Sequence, residues 1–246
     1  MGLNTLKNRI KEELLTRGYA VHRVEPEQIG IHPYRDMRRL TGSRSSEILF
    51  DVGANRGQSL GLFRENFPTG TIHAFEPSPS VFEELKQCAA GETNVRLNNI
   101  ALGSSRERRI LNENPQDSVS SLLPADSDFS WRREIRSRTE VEVSSVDHYC
   151  ESAGVKSIDV LKSDTQGFDL EVLKGATRLL NGHKIHLVYV EMNFLNIYVG
   201  MASFEDIFLF LKKFGFETVS FYNMCYQGGR LGWLDGLFID PNWIAA

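Results

Sequence analysis

Three cysteines among 246 residues are too few and too scattered for a disulfide framework. Cys88, Cys150 and Cys225 form no CxxC pair and no His-containing ligand pattern, which reads as reduced thiols in a cytoplasmic protein. The chain also lacks an apolar run of membrane-spanning length, and its start, MGLNTLKNRIKEELL, is too charged for a secretory signal. Leu6 stands where a myristoylation signal after Gly2 needs Ser or Thr. Positive charge is not in excess either: the formal net charge is -4, so no broad phosphate-binding face and no nucleic-acid partner are expected. With 41% hydrophobic and 24% charged residues, the composition is that of an ordinary soluble chain. Its length suits one large α/β domain with a short extension.

The chain is organised around ILFDVGANRGQS, residues 48–59, and around Glu76. Ile48, Leu49 and Phe50 read as a buried parallel strand that reaches Asp51 and then a turn with Gly53 and Gly57. Leu60, Phe63, Arg64 and Phe67 recur at helical spacing before Pro68, so the turn opens a helix whose first amides attract anionic groups. A second apolar run, Thr71 to Phe75, ends in Glu76 and Pro77. This strand–helix–strand unit with an acid after its second strand is the anatomy of an adenosine-type cofactor site. The dinucleotide fingerprint G-x-G-x-x-G is absent, because Asn55 occupies the place of the middle glycine, and that argues against a nicotinamide oxidoreductase. Asn tolerates a left-handed backbone, so the turn is still available. D-x-G-x-N-x-G is similar to the first motif of class I S-adenosylmethionine-dependent methyltransferases. In that resemblance Glu76 is the ribose acid, offering acceptors to two adjacent hydroxyls.

Around this unit, residues 4–17 place Leu6, Ile10, Leu14 and Leu15 on one helical face, for packing on the domain edge or for a dimer or lid contact. Residues 18–46 read as irregular and basic, with Arg23, Arg35, Arg38, Arg39 and Arg44 among His22, His32 and Tyr34. They are either a solvated surface or the mouth of the site. Ser78 or Ser80 caps a helix through Val81, Phe82, Leu85 and Cys88. Val95, Leu97 and the run Ile100–Leu102 form the third strand and its exit. Because the residues just past that strand flank the adenine in the class I methyltransferases that the first motif resembles, the resemblance implies Asn99 and Ala101 there. Residues 104–146 alternate in RRILN and TEVEVSSV, a β-hairpin or lid excursion whose polar loop carries Trp131, Arg132, Arg133 and Arg136. A short helix from Asp147 to Ala153 and a strand from Ile158 lead to Asp164. One helix through Leu170, Val172, Leu173 and Ala176 follows, then the strand IHLVYVEMN with Glu191 and Asn193 at its end. Ser203 caps a helix to Phe214, and ETVSFY and GLFID pair as a last hairpin across the polar segment NMCYQGGRLGWLD.

The ordered set DVGANRGQS, FEPSPSVFEEL, NNIALG, SSVDHY, VLKSDTQGFDLEVLKGA and VYVEMN resembles the FkbM family of S-adenosylmethionine-dependent methyltransferases, over residues 48–195. The resemblance implies a class I Rossmann-like fold: an α/β, mostly parallel sheet with an antiparallel edge strand and helices on both faces. The methyltransferase domain would span 47–246, behind an N-terminal helical cap of 1–46. It implies S-adenosylmethionine as cofactor, held by Asp51, Gly53, Asn55, Gly57, Gln58, Ser59, Glu76, Pro77, Asn99, Ala101 and Asp164. It implies O-methylation of a hydroxyl on a sugar of a glycan or glycolipid, or on a polyketide or other natural product. Where the family shows K-x-D-x-E-G, this chain has Lys162, Asp164, Gln166 and Gly167, so a carboxylate is replaced by an amide. A cofactor-binding protein without catalysis stays open on that ground.

Methyl transfer is an in-line displacement that needs alignment and removal of a hydroxyl proton. Asp164, Glu191 and Asn193, at the ends of adjacent strands, are the candidates. They serve as base and orienting groups, or hold Mg²⁺ or another divalent metal through oxygen ligands; alternatively Asp164 pairs with Lys162. His73, His148, His183 and His186 rank below them, being placed in a core strand, a helix or at the opposite end of the sheet.

Overall fold

The computed structural model describes residues 3–17, 19, 21, 25, 27–42, 46–126 and 134–245. His22, Arg23, Arg44, Trp131, Arg132 and Arg133, singled out above, lie outside these residues. Helices α1 (Leu3–Thr16) and α2 (Pro33–Thr41) precede the alternating core. That core runs β1 (Ile48–Val52), α3 (Gln58–Asn66), β2 (Thr71–Phe75), α4 (Pro79–Cys88) and β3 (Val95–Asn98). After β4 (Ala101–Leu102), β5 (Glu107–Glu113) and β6 (Ser137–Ser144) come α5 (Val146–Ala153), β7 (Ile158–Ser163), α6 (Asp169–Lys174), α7 (Thr177–Asn181) and β8 (Ile185–Asn193). Helix α8 (Phe204–Lys213) and strands β9 (Glu217–Gln227) and β10 (Arg230–Ile239) close the chain.

Seven strands form one sheet in the order β3-β2-β1-β7-β8-β10-β9, parallel except for β10, which runs antiparallel to both neighbours. The apolar runs of β1, β7 and β8 are continuous because both faces of the sheet are covered. Side chains alternate between two cores. Phe50, Leu161 and Val188 pack with Val146, Val172, Leu179 and Leu211 from α5 to α8 on one side. Leu49, Val160 and Leu187 pack with Met37, Phe63, Phe82 and Leu85 from α2, α3 and α4 on the other.

Helix α2 corrects the expectation of an irregular 18–46 segment. Pro33 opens it with a ready-made φ, and Tyr34, Met37 and Thr41 form a narrow buried stripe among exposed arginines. Tyr222 on β9 donates to Asp36 Oδ2 at 2.8 Å, and Arg38 pairs with the fully buried Glu47 at the start of β1. Arg38 is therefore committed at the end of the sheet away from the glycine turn. Helix α1 forms as its periodicity predicts, but Leu6, Ile10 and Leu15 are about half exposed or more, so this face does not pack on the domain edge. Among the described residues no helix is long and apolar enough to cross a membrane.

Two further boundaries differ from the sequence reading. The single helix after β7 is two, α6 and α7, broken at Gly175, where a Cβ would lie 2.0 Å from the Gly103 carbonyl oxygen. The last hairpin is longer than ETVSFY and GLFID: β9 and β10 continue to Gly228–Gly229, whose φ values of 56° and 76° make a tight turn. Strands β5 and β6 pair antiparallel as the alternation predicts, and β4 joins β6 to complete a second, three-stranded sheet.

Candidate active site

A pocket of about 310 Å³ opens at the carboxyl ends of β1, β2 and β7. Gly53, Asn55, Gln58, Ser59, Glu76, Pro77, Ala101 and Asp164 line it, a large part of the predicted set. The turn after β1 takes the conformation its residues allow. Asn55 is left-handed at φ 47°, and its side-chain oxygen accepts from the Arg56 amide at 2.8 Å and from Gln58 Nε2 at 3.1 Å. Gly53, at φ 78°, meets the exit of β7, and a Cβ there would stand 2.0 Å from the Asp164 carbonyl oxygen. Gly57 caps α3 with φ 91°.

Glu76 is 7% exposed, with both carboxylate oxygens held by the backbone. Oε2 accepts from the Asn55 amide at 3.0 Å, and Oε1 from the Ser78 amide at 2.8 Å. Asn99 is not among the residues lining the pocket; its side-chain amide donates to the Glu76 and Pro77 carbonyls at 2.8 and 3.1 Å. It braces the loop that carries Glu76. Asp51 also stands behind the wall. It is fully buried and takes the Lys162 ammonium at 2.9 Å, so Lys162 pairs with Asp51 and not with Asp164. Asp51, Lys162 and Tyr189 are register partners on neighbouring strands, and Tyr34 of α2 packs edge-on to Phe63 at 5.0 Å and Tyr189 at 6.3 Å. Burial pushes the Tyr34 phenol up, against the opposing pull of Lys162. The Lys162 ammonium is held protonated: burial opposes its charge, and Asp51 and Asp164 more than reverse that effect.

The β7–β8 end is acidic. Asp164 lines the pocket and accepts from Gln166 Nε2 at 3.0 Å. Gln166 Oε1 in turn accepts from the Tyr198 hydroxyl at 3.1 Å, and the Gln166 carbonyl from Ser121 Oγ at 2.7 Å. Gln166 thus links Asp164 to Tyr198 through its side-chain amide and to the loop of residues 114–126 through its backbone carbonyl, and Ser118, Ser120, Ser121 and Leu122 of that loop also line the pocket. Glu191 and Asn193 are not among the residues lining this pocket; Asn193 Nδ2 approaches Glu191 Oε2 at 3.4 Å. Burial raises Glu191 well above the usual carboxylate range, reinforced by Asp164, Asp169 and Asp235. Asp169 is pushed up to about 6 by burial, with Ser163 and Thr165 as partial compensation. Asp235, missed by the sequence reading, sits opposite Glu191 in register and accepts from Tyr189 and Asn223, each at 2.7 Å. A lone charge among the apolar residues of GWLDGLF was the available signal. Among the described residues, no three His, Cys, Asp or Glu side chains are disposed to hold a metal ion.

His73, His148, His183 and His186 are not among the residues lining the pocket. His73 is buried in β2 against Tyr149, with its pKa lowered to about 4 by burial, while His183 pairs with Asp240 and His186 stacks on Trp243 at the amino end of β8.

A profile described as the methyltransferase FkbM domain matches residues 51–218. The chain belongs to this family. The FkbM methyltransferase is 25% identical over 177 residues to "2-O-methyltransferase NoeI" of Sinorhizobium fredii, covering 68% of this chain and 72% of that protein. It is 26% identical over 184 residues to "Methyltransferase sdnD" of Sordaria araneosa, covering 64% and 71%. It is also 26% identical over 156 residues to "Hexuronic acid methyltransferase AglP" of Haloferax volcanii, covering 63% and 59%.

Proposed function

We propose that this FkbM methyltransferase uses S-adenosylmethionine to O-methylate a hydroxyl of a small molecule, a sugar of a glycan or glycolipid. The observation that carries the proposal is the Glu76 carboxylate at the pocket, braced by two backbone amides beside a glycine that no side chain can replace. An oxygen that already accepts one hydrogen bond can accept another, so Glu76 serves two adjacent ribose hydroxyls. Gly53 leaves the room that a cofactor chain needs at the sheet edge, and Ile100, Ala101 and Leu111 supply an apolar wall for a planar base.

When bound, the cofactor supplies an electrophilic methyl group on a sulfonium. The protein aligns the acceptor and takes its proton. Asp164 is the proton acceptor, oriented by the Gln166 amide on Oδ1. Glu191, kept toward its neutral form by burial and by the acids around it, favours hydrogen-bond donation over a second negative charge. Sugar as the acceptor class rests on the names of two relatives, a 2-O-methyltransferase and a hexuronic acid methyltransferase.

The test is calorimetric titration with S-adenosylhomocysteine, with NAD as control. Binding of S-adenosylhomocysteine alone supports the proposal, and binding of NAD overturns it. Once an acceptor is found, turnover should survive a chelator; a loss restored by magnesium would reinstate Asp164, Glu191 and Asn193 as metal ligands.

A further inference from the structure

Glu113 ends β5 and is 5% exposed, yet among the described residues no Lys or Arg side chain hydrogen-bonds its carboxylate. Hydroxyls hold it instead. Ser78 Oγ donates to Oε1, while Ser137 Oγ and, at 3.0 Å, Thr139 Oγ1 donate to Oε2. Burial alone would raise the pKa of this group; Ser137, Ser78, Thr139 and the nearby Arg136 outweigh burial and keep it below the usual range. A buried anion is weak as a stabilising device, because desolvation costs much of what its partners return. Its partners indicate another use.

Ser78 works in two directions. Its hydroxyl goes to Glu113, and its own backbone amide goes to Glu76 Oε1. It is also the cap of α4, with its oxygen 3.5 Å from the Val81 amide. Fixing the Ser78 side chain therefore fixes the peptide that braces Glu76. On the other side of Glu113 the chain enters the 114–126 segment, where the Asn114 amide donates to Ser120 Oγ at 3.0 Å, and Ser120 and Ser121 line the pocket. The residue sits where the hairpin and the Glu76 loop meet.

We propose that Glu113 is a positioning residue of the cofactor site, acting through Ser78 to hold the Glu76 carboxylate and to fix the hairpin wall of the pocket against it. This rests on Glu76 being the ribose ligand. A carboxylate is suited to the task because it accepts from all of its donors at once, whereas an amide turns an N–H₂ group toward one of them.

The measurement is S-adenosylhomocysteine affinity, with thermal melting of each protein alongside. Glu113→Gln and Ser78→Ala should each weaken binding about tenfold, and the double variant should be no weaker than either, since both break one path. Ser137→Ala, on the far oxygen, should change affinity less than about threefold. A general packing role would lower melting temperature and leave affinity at low temperature unchanged. Wild-type affinity in folded Glu113→Gln, or additive losses in the double variant, overturns the inference. If Glu113→Gln does not fold, Ser78→Ala decides by the same criterion. Failure of the wild-type protein to bind S-adenosylhomocysteine overturns the proposed function and this inference with it; equal binding by wild type and variants overturns the inference alone.

Discussion

The two flanks of the pocket are built on opposite electrostatic terms. On the β1–β2 flank each carboxylate has its partner: Glu76 takes the amides of Asn55 and Ser78, and Asp51 takes Lys162. On the flank of β7, β8 and β10, Asp164, Asp169, Glu191 and Asp235 crowd together, and burial and mutual repulsion raise Asp169, Glu191 and Asp235. Among the described residues, buried Asp169 Oδ2 and Asn193 Oδ1 have no hydrogen-bond partner here, as Asp51 Oδ2 has none on the other flank. A carboxylate braced by backbone amides makes a preorganised acceptor for neutral hydroxyls. Crowded, buried acids raise one another's proton affinity. On the proposed function, binding and chemistry divide between the flanks, with Gly53 and Asp164 where they touch.

Substitutions that separate the flanks sharpen this contrast. Asp164→Asn has the largest expected effect: kcat falls on the order of 10²- to 10⁴-fold while S-adenosylhomocysteine affinity stays within about threefold. Steady-state kinetics beside calorimetry measures both, and an active variant removes Asp164 as proton acceptor. Glu76→Ala acts on the other flank, weakening cofactor affinity by about 1.5–3 kcal/mol, with the circular dichroism spectrum unchanged. Unaltered affinity would take the ribose role from Glu76.

Asp169→Asn reads the strain of the acidic flank through stability. Its folded pKa of about 6 lies above the unfolded value, so the folded state binds the extra proton and wild-type stability falls as pH rises from about 4 to about 6. The loss is on the order of 2–3 kcal/mol. The Asn variant keeps an acceptor for Ser163 and Thr165 and cannot ionise, so that part of the pH dependence should vanish. Urea unfolding at pH 4 and pH 7 checks it; identical pH dependence in both proteins shows that Asp169 carries no buried charge.

Legibility followed the same division. The glycine turn, Asn55 and Glu76 were readable because one short strand–helix–strand unit contains them all: Glu76 is 21 residues from the amide of Asn55 that it accepts. Caps such as Ser78 and Ser203 are equally local. Helix α2 was hidden because its burial depends on partners far away, Tyr222 being 186 positions from Asp36. Its apolar stripe is only Tyr34, Met37 and Leu40, set among arginines. The break between α6 and α7 was equally invisible, since Gly175 yields to the backbone of Gly103 and not to any neighbour in sequence.

By itself the sequence determined the strand and helix alternation of the core, apart from α2 and the α6–α7 break, together with the turn conformation and the identity of the acid after β2. Each depends on backbone preference, period or spacing within a few turns of chain. Tertiary structure alone decided that Lys162 goes to Asp51, that Asp235 joins Glu191, and that Gln166 and Glu113 tie the hairpin to the pocket. Those outcomes depend on which charges and hydroxyls are brought together across the sheet. Coulombic and desolvation energies are functions of distance and burial, which spacing along the chain does not set.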